Sequence, residues 1–207
     1  MLSEDGRRSA INSPENLRAL ELMVGGIEDG AAPRDVTDME EERARAAFSD
    51  GDATFMRNWP YALVLMQQRS EVKDKFKAVE LPAFQGGGQA SVLVGHDVVI
   101  AKAAKNRGAA LVFADFLTSP DIEAQMVTRT GVASPLEATY EDPSITTPGI
   151  EVVRRALDQA KPRPVTPAWP GVSKAIYENV HAALAGEMTA RQALQAADRD
   201  IDRALAK

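Results

Sequence analysis

The sequence predicts an α/β fold that is rich in helices and has few strands. Apolar residues recur at helical spacing in about seven or eight segments, whereas only about three segments have the pattern of a strand. Helices and strands alternate along the chain, which is typical of the α/β class. So small a sheet cannot bury the apolar faces of this many helices, and we therefore expect an incomplete fold.

The composition excludes several classes of protein. The chain has 207 residues, a net charge of −6, no cysteine and two histidines, His96 and His181. Without cysteine there is no disulfide scaffold and no thiolate nucleophile, and so few histidines argue against a metal centre. The acidic balance argues against nucleic-acid binding. No apolar run approaches the ~20 residues of a membrane span. We expect neither a cofactor nor insertion of this chain into a membrane.

Two helices are predicted in the first 50 residues. The first begins at Ser13-Pro14, because serine is a good N-cap and proline suits the first helical turn. The second opens at Thr37-Asp38 and has Glu40 to Glu42 in its first turn, where the helix dipole favours anions. We interpret these three glutamates as a solvated helix start.

Three segments are predicted to be strands: residues 53–59, 76–81 and 91–101. A short helix follows Pro60, between the first and second strands. Gly95-His96-Asp97 interrupts the third strand, and a glycine in a strand suggests a bulge or a close backbone approach.

The remainder of the chain is predicted to be helical, apart from a proline-rich stretch over residues 131–170. A capping box over Thr189 to Gln192 marks the start of the last helix. The other predicted helices are Lys105 to Leu117, Ser119 to Thr128, Ile150 to Ala160 and Ser173 to Leu184.

The segment from Arg57 to Tyr61 is a candidate ligand site. It lies at a strand-to-helix junction, where open α/β sheets bind ligands. Trp59 offers a flat apolar face with a polar edge, which suits a sugar ring. The alternative, which the pattern leaves equally open, is a tryptophan in the local core.

Two further segments contain candidate residues. Gly95-His96-Asp97 is either a ligand-facing bulge or a plain bulge with a surface histidine. The prolines around Arg163 and Trp169 stiffen their loop, which suits either preorganised binding or a rigid surface linker. No carboxylate pair identifies itself as an acid/base couple, and Gly86 to Gly88 lacks the Lys and Ser/Thr of a phosphate loop. We therefore predict that the chain is not an enzyme.

The order of these elements resembles the C-terminal half of a family 1 extracellular solute-binding protein. This family includes the maltose- and trehalose-binding components of ABC sugar importers. The matching segments are residues 46–56 ("AF-x-x-G-x-A-x-M"), Trp59-Pro60, residues 81–86 ("LP-x-x-G"), residues 94–100, residues 105–120, residues 163–169 ("RP-x-x-P-x-W") and residues 183–194.

The resemblance implies an incomplete periplasmic-binding-protein-like fold of class II, in which two lobes enclose a sugar. Residues 1–78 would belong to the C-terminal lobe, residues 79–118 would return to the N-terminal lobe, and residues 119–207 would form a helical tail on the C-terminal lobe. Most of the N-terminal lobe would be absent. Met1 to Gly6 show no signal peptide.

The same resemblance implies a ligand site. Trp59, followed closely by Tyr61, would stack on a sugar ring. Family members often have tryptophan where this chain has His96 after Gly95, so His96 and Asp97 would instead bond to hydroxyls. Arg163 would do the same, and Trp169 would either line the cleft or pack the lobe.

These implications predict a non-enzymatic, carbohydrate-binding component of an ABC transporter. Its partners would be a mono- or oligosaccharide and the permease subunits. It would be extracellular or periplasmic, as a cell-surface lipoprotein in its full-length form. A carbohydrate-active hydrolase and a helix-rich interaction domain are the alternatives. Nothing in the sequence specifies which sugar is bound.

Overall fold

The computed structural model describes residues 1–68 and 71–206. Residues 69–70, in the first predicted lobe segment, and residue 207, at the end of the third, lie outside the described residues. The chain divides into two compact units. The first consists of Met1–Glu40 with Pro164–Lys207, and the second of Glu41–Arg163.

The helices of the described residues, numbered in chain order, are α1 (Pro14–Glu28), α2 (Glu41–Asp50), α3 (Tyr61–Gln67), α4 (Arg107–Leu117), α5 (Pro120–Thr130), α6 (Ile150–Asp158), α7 (Trp169–Leu184) and α8 (Ala190–Leu205). The strands are β1 (Val92–Leu93) and β2 (Lys161–Pro162), and single 3₁₀ turns occupy Arg34–Asp38 and Glu137–Tyr140. The predicted helix-rich architecture with few strands is confirmed.

The capping motifs seen in the sequence form as predicted. The Ser13 hydroxyl accepts a hydrogen bond from the backbone N–H of Asn16 at the start of α1. At α8, Thr189 Oγ1 accepts from the Gln192 N–H, while the Gln192 side chain accepts from the Thr189 N–H. Such caps satisfy donors that the first helical turn leaves without a partner, which is why these two helix starts are predictable locally.

The core of the first unit joins α1 to α7 and α8. Its largest fully enclosed side chains are Val172 and Ile201, both with 0% exposure. Ser9 N donates to Asp202 Oδ1 across 2.6 Å, although the two residues are 193 positions apart. This bond ties the segment before α1 to α8. The other buried members of the cluster are Ile11, Leu20, Ala175, Ala183, Ala190, Ala193, Leu194 and Ala197.

In the second unit, α3 packs closely against the end of α5. Gly131 follows α5 with φ +71°, and a Cβ there would lie 3.0 Å from both the Pro60 carbonyl oxygen and Tyr61 Cα. Only glycine combines that backbone angle with so close an approach. Val64 Cγ2, on the buried face of α3, would also lie 3.0 Å from that Cβ. Gly131 therefore fixes the point at which the candidate aromatic segment enters α3.

The strand predictions were largely wrong. Residues 53–59 and 76–81 have no regular structure, and Phe55 and Val79 within them are 89% and 79% exposed. Of residues 91–101, only β1 is a strand. A strand is held by the hydrogen bonds of a neighbour, and among residues 1–68 and 71–206 nothing pairs with the other stretches. Gly95-His96-Asp97 therefore follows a strand instead of forming a bulge within one.

The described sheet consists of one parallel pair. Val92 pairs with Lys161 and Leu93 with Pro162, and Lys161 N donates to the Ser91 carbonyl across 2.8 Å. The prolines around Arg163 were predicted to form a stiff loop, but residues 161–162 extend alongside β1. Because the pair is parallel, the carboxyl ends of both strands emerge at the same edge.

Two predicted helix starts are displaced. α2 begins at Glu41, because Met39 adopts an extended backbone (φ −81°, ψ 120°) after the 3₁₀ turn and separates it from Thr37-Asp38. α7 begins at Trp169 rather than Ser173, because Pro170 falls in the first turn, where a missing N–H costs nothing.

α4 exposes its apolar residues. None of its residues is buried, and the rings of Phe113 and Phe116 stack with centroids 6.4 Å apart. Leu111, Val112, Phe113 and Phe116 are 61%, 72%, 59% and 54% exposed. An amphipathic helix normally buries such a stripe, so this surface has the character of a core face.

Candidate functional site

Trp59 is held through its polar edge. Its indole Nε1–H donates to Glu41 Oε1 across 3.2 Å, and its backbone N–H donates to Asn58 Oδ1 across 2.7 Å. Asn58 Nδ2 in turn donates to the Glu41 carbonyl across 3.0 Å. The irregular segment that carries Trp59 is thereby attached at two points to the first residue of α2. The half-buried ring is oriented by these bonds, without the support of a β ladder.

Tyr61 is held in the same way by the next residue of α2. Its hydroxyl donates to Glu42 Oε1 across 2.9 Å. Glu42 Oε2 accepts from Arg45 Nη2 across 2.6 Å and from Arg45 Nε across 3.0 Å. The Arg45 side chain is only 15% exposed, so one end of this ion pair is anchored within the unit.

Arg57 covers one face of the Trp59 ring. Its guanidinium carbon lies 4.5 Å from the ring centroid, within the range of a cation–π contact. A planar cation on one face leaves the opposite face as the one on which a further ring could stack. The two aromatic residues are thus surrounded by two carboxylates and two guanidinium groups.

These contacts shift the pKa values of Glu41, Glu42 and Tyr61, and the hydrogen bond to Glu42 also raises the pKa of Arg45. Hydrogen bonds from its own backbone N–H and then from Trp59 lower the pKa of Glu41. Hydrogen bonds from Arg45 and then from Tyr61 lower the pKa of Glu42. Burial, followed by the hydrogen bond to Glu42, raises the pKa of Tyr61. At neutral pH the phenol is therefore a donor and both carboxylates are charged acceptors.

This arrangement suits binding and does not suit hydrolysis. A glycosidase needs one carboxyl group kept protonated as the general acid, with its pKa raised. Glu41 and Glu42 are both shifted the other way. An aromatic face bordered by charged hydrogen-bonding groups has the chemistry to contact a ring with apolar C–H faces and peripheral hydroxyls.

A second group of candidate residues lies at the carboxyl edge of the β1–β2 pair. Leu93 is paired with Pro162, so Arg163 leaves β2 at the edge where the chain leaves β1 toward Gly95. Gly95, His96 and Asp97 are exposed. The parallel register therefore places Arg163 beside residue 94, at the edge from which the chain continues to Gly95-His96-Asp97.

Trp169 belongs to the other unit. It is the first residue of α7 and is half-buried against the core that contains Val172 and Ile201. Of the two roles considered for it, packing is the one that its contacts show.

Sequence reasoning missed the groups that hold the aromatics. Glu41 and Glu42 were interpreted as a solvated helix start, yet they accept hydrogen bonds from Trp59 and Tyr61. Arg57 was included in the candidate segment, but no role was assigned to its side chain. The signal was weak: two adjacent acidic residues lie 18 and 19 positions before two aromatic residues with polar tips.

Neither a membrane span nor a metal cluster is found in residues 1–68 and 71–206. No helix there is long and apolar enough to cross a bilayer. No group of three or more His, Cys, Asp or Glu side chains in those ranges is arranged to hold a metal ion.

Comparison with known proteins identifies the family. The model of the family described as bacterial extracellular solute-binding protein matches residues 1–151. The chain belongs to this family. A probable ABC transporter-binding protein from Deinococcus radiodurans is 31% identical to this solute-binding chain over 136 residues, which are 65% of the chain and 32% of the relative. The resemblance drawn from the sequence motifs is therefore confirmed.

Solved structures show which fold the solute-binding chain shares. Maltose-bound MalE3 of T. maritima superimposes with a TM-score of 0.90 and 33% identity, covering 97% of this chain and 52% of that one. A solute-binding protein from Thermotoga lettingae, bound with α-D-tagatose, gives a TM-score of 0.87 at 23% identity, covering 99% of this chain and 52% of that one. The solute-binding chain thus spans about half the length of these structures.

These similarities confirm two further predictions. The fold is a partial class II periplasmic-binding-protein fold. The family consists of extracellular solute-binding proteins, which are not enzymes.

Proposed function

We propose that the chain is part of the carbohydrate-binding component of an ABC sugar importer. One observation carries the proposal: 97% of the chain superimposes on a maltose-bound protein with a TM-score of 0.90 at 33% identity. The site fits this role, because an aromatic face bordered by hydrogen-bonding groups suits a pyranose. The loaded protein would deliver its sugar to the permease subunits of the importer.

In the proposed complex, Trp59 stacks on a pyranose ring beside Tyr61. Stacking removes apolar C–H surface from water, while polar groups provide discrimination, because an unmatched buried polar group is costly. Arg163, His96 and Asp97 would bond to hydroxyls from the carboxyl edge of the β1–β2 pair, where the backbone of Gly95 can approach the sugar. Trp169 would support its own unit by packing. The location would be extracellular or periplasmic, on a lipid-anchored protein.

We also propose that residues 79–118, which the β1–β2 pair connects to residues 161–162, cross into a different lobe from residues 1–78 and 119–207. The support is the exposed apolar stripe of α4 and the exposure of Val92, Val94 and Val99 at 47%, 42% and 83%. These side chains would be covered by the half of the family fold that this chain does not span.

A hybrid protein tests the proposal. The chain would replace the half of T. maritima MalE3 on which it superimposes, and maltose and trehalose binding would be measured by calorimetry. We expect the hybrid to bind sugar and the isolated chain to bind weakly or not at all. Trp59→Ala should weaken binding strongly but measurably, whereas Tyr177→Ala, at an exposed position of α7, should leave it unchanged. A well-folded hybrid that binds neither maltose nor trehalose would contradict the proposal.

Hydrogen exchange tests the assignment of residues 79–118 to a different lobe. Hydrogen exchange of the α4 amides should be slower in the hybrid than in the isolated chain, because covering the apolar stripe suppresses local opening. The amides of α8, which is already packed, serve as the internal control. Equal exchange of α4 in both proteins would contradict the assignment.

A further inference from the structure

Two adjacent residues of one helix hold both candidate stacking aromatics by their polar tips. Glu41 accepts from the indole of Trp59, and Glu42 from the hydroxyl of Tyr61. We propose that Glu41 and Glu42 are positioning residues, which fix the ring planes of Trp59 and Tyr61 before a ligand arrives. The ligand role of these rings rests on the proposed function, but their positioning does not.

The backbone around Trp59 explains why positioning is needed. Residues 53–59 lack regular structure, so no strand ladder holds the tryptophan. Its segment is attached to α2 through Asn58, which donates to the Glu41 carbonyl and accepts from the Trp59 N–H. Backbone attachment fixes where the side chain starts but not how it rotates. The Glu41 carboxylate on Nε1 supplies the missing constraint.

Three contacts then define the plane of the indole. Asn58 holds the backbone, Glu41 holds the Nε1 edge and Arg57 lies 4.5 Å from the centroid on one face. A sugar ring that stacks on Trp59 with Arg57 in place must use the opposite face. Because an ordered ring loses less rotational freedom on binding, this preorganisation favours affinity.

Tyr61 is constrained by the same helix. The Glu42 carboxylate bonds Tyr61 and Arg45 at once, and the enclosed Arg45 side chain restricts where Glu42 can lie. Since Glu41 and Glu42 are consecutive on α2, both aromatic residues are held from the first turn of one helix. The pKa values of both carboxyl groups are lowered, so both remain charged acceptors at neutral pH.

The indole N–H resonances provide a direct test in the chain itself, without sugar. The protein has two tryptophans, so its ¹H–¹⁵N spectrum should show two indole peaks, and Trp59→Phe assigns them. Glu41→Ala should shift the Trp59 peak upfield, as expected when a charged acceptor is lost. Glu41→Gln should restore part of the shift, because the amide oxygen still accepts.

Glu40→Ala is the matched control. Glu40 precedes Glu41 in the same acidic run, is exposed, and makes no hydrogen bond or ion pair with the described part of the chain. It should leave both indole peaks in place. The proposal is overturned if Glu41→Ala leaves the Trp59 peak where it is in the wild type, or if Glu40→Ala moves it equally. Circular dichroism verifies that each variant is folded.

A second arm separates positioning from sugar binding. In the MalE3 hybrid, Glu41→Ala should weaken maltose binding by about threefold to tenfold, the range of a partly exposed hydrogen bond to a charged group. Adding Glu41→Ala to Trp59→Ala should cause no further loss. A hybrid that does not bind sugar would contradict the proposed function but not the positioning role. If the Glu41→Ala/Trp59→Ala variant loses maltose affinity additively, the positioning role is overturned.

Discussion

A Cβ atom on Gly131 would lie 3.0 Å from the carbonyl oxygen of Pro60, and the glycine itself has φ +71°. The end of α5 thus sets the position from which the two aromatics of the candidate site extend. This close approach gives the first of four predictions.

Gly131→Ala should destabilise the protein by about 1–3 kcal/mol, because a strained left-handed backbone is combined with a steric clash. The urea midpoint measured by circular dichroism reports the change. Gly88→Ala is the matched control, since Gly88 has an ordinary φ and nothing lies within 4 Å of the added methyl group. If the two variants unfold alike, the packing described for α3 and α5 is wrong.

Glu42→Ala should lower the pKa of Tyr61. Burial raises the pKa of this phenol first, and the hydrogen bond and charge of Glu42 raise it further, so removing Glu42 removes the second contribution. Arg45, released from Glu42, would favour the phenolate as well. Ultraviolet titration of tyrosinate, with Tyr61→Phe to assign the component, measures the shift. An unchanged or raised pKa would show that Glu42 does not contact Tyr61 in solution.

Acid should selectively weaken the Glu41 and Glu42 contacts. Both carboxyl groups have pKa values below the ordinary 4.5, so their stabilising contribution is present above that value and is lost as the pH falls through the folded-state pKa. The hydrogen-bond partners Arg45 and Tyr61 have raised pKa values, so they stay protonated as the pH falls. The unfolding midpoint of wild type should therefore approach that of the Glu41→Gln/Glu42→Gln double variant as the pH falls through the lowered pKa values of the two carboxyl groups. A constant difference from neutral to acidic pH would contradict this.

Ile201→Ala should be severely destabilising. Ile201 has 0% exposure in the core shared by α1, α7 and α8. Truncating a buried isoleucine costs about 2–5 kcal/mol through lost burial and the cavity that remains. Leu22→Ala is the comparison, because Leu22 on α1 is 64% exposed. Thermal unfolding should separate the two variants clearly, and equal melting temperatures would mean that Ile201 is not part of the core.

The sequence predicted what depends on neighbours along the chain. The caps at Ser13 and Thr189 depend only on residues nearby in sequence, and they were predicted correctly. Strands at residues 53–59 and 76–81 were not, because extended residues become a strand only when a distant segment pairs with them.

In the candidate site, too, the features set by nearby residues were predicted and those set by distant residues were not. Trp59 was predicted as a ligand residue because it directly precedes a helix. The ligand role of Arg163 was predicted only from the resemblance to the family, which rests on the order of the motifs. The bonds from Trp59 to Glu41 and from Tyr61 to Glu42 span 18 and 19 positions of irregular chain. No periodicity marks such contacts. The parallel register that places Arg163 near Gly95 is equally invisible until β1 and β2 pair.

The bond between Ser9 and Asp202 has a consequence for synthesis on the ribosome. Translation proceeds at about 5–20 residues per second, so the 193 positions that separate these residues correspond to about 10–40 s of elongation. During that interval the apolar stripe of α1 has been made, but α8, which covers it, has not. The core that α1 shares with α8 can therefore close only at the end of that interval, and until then the α1 stripe in the nascent polypeptide has no α8 to pack against.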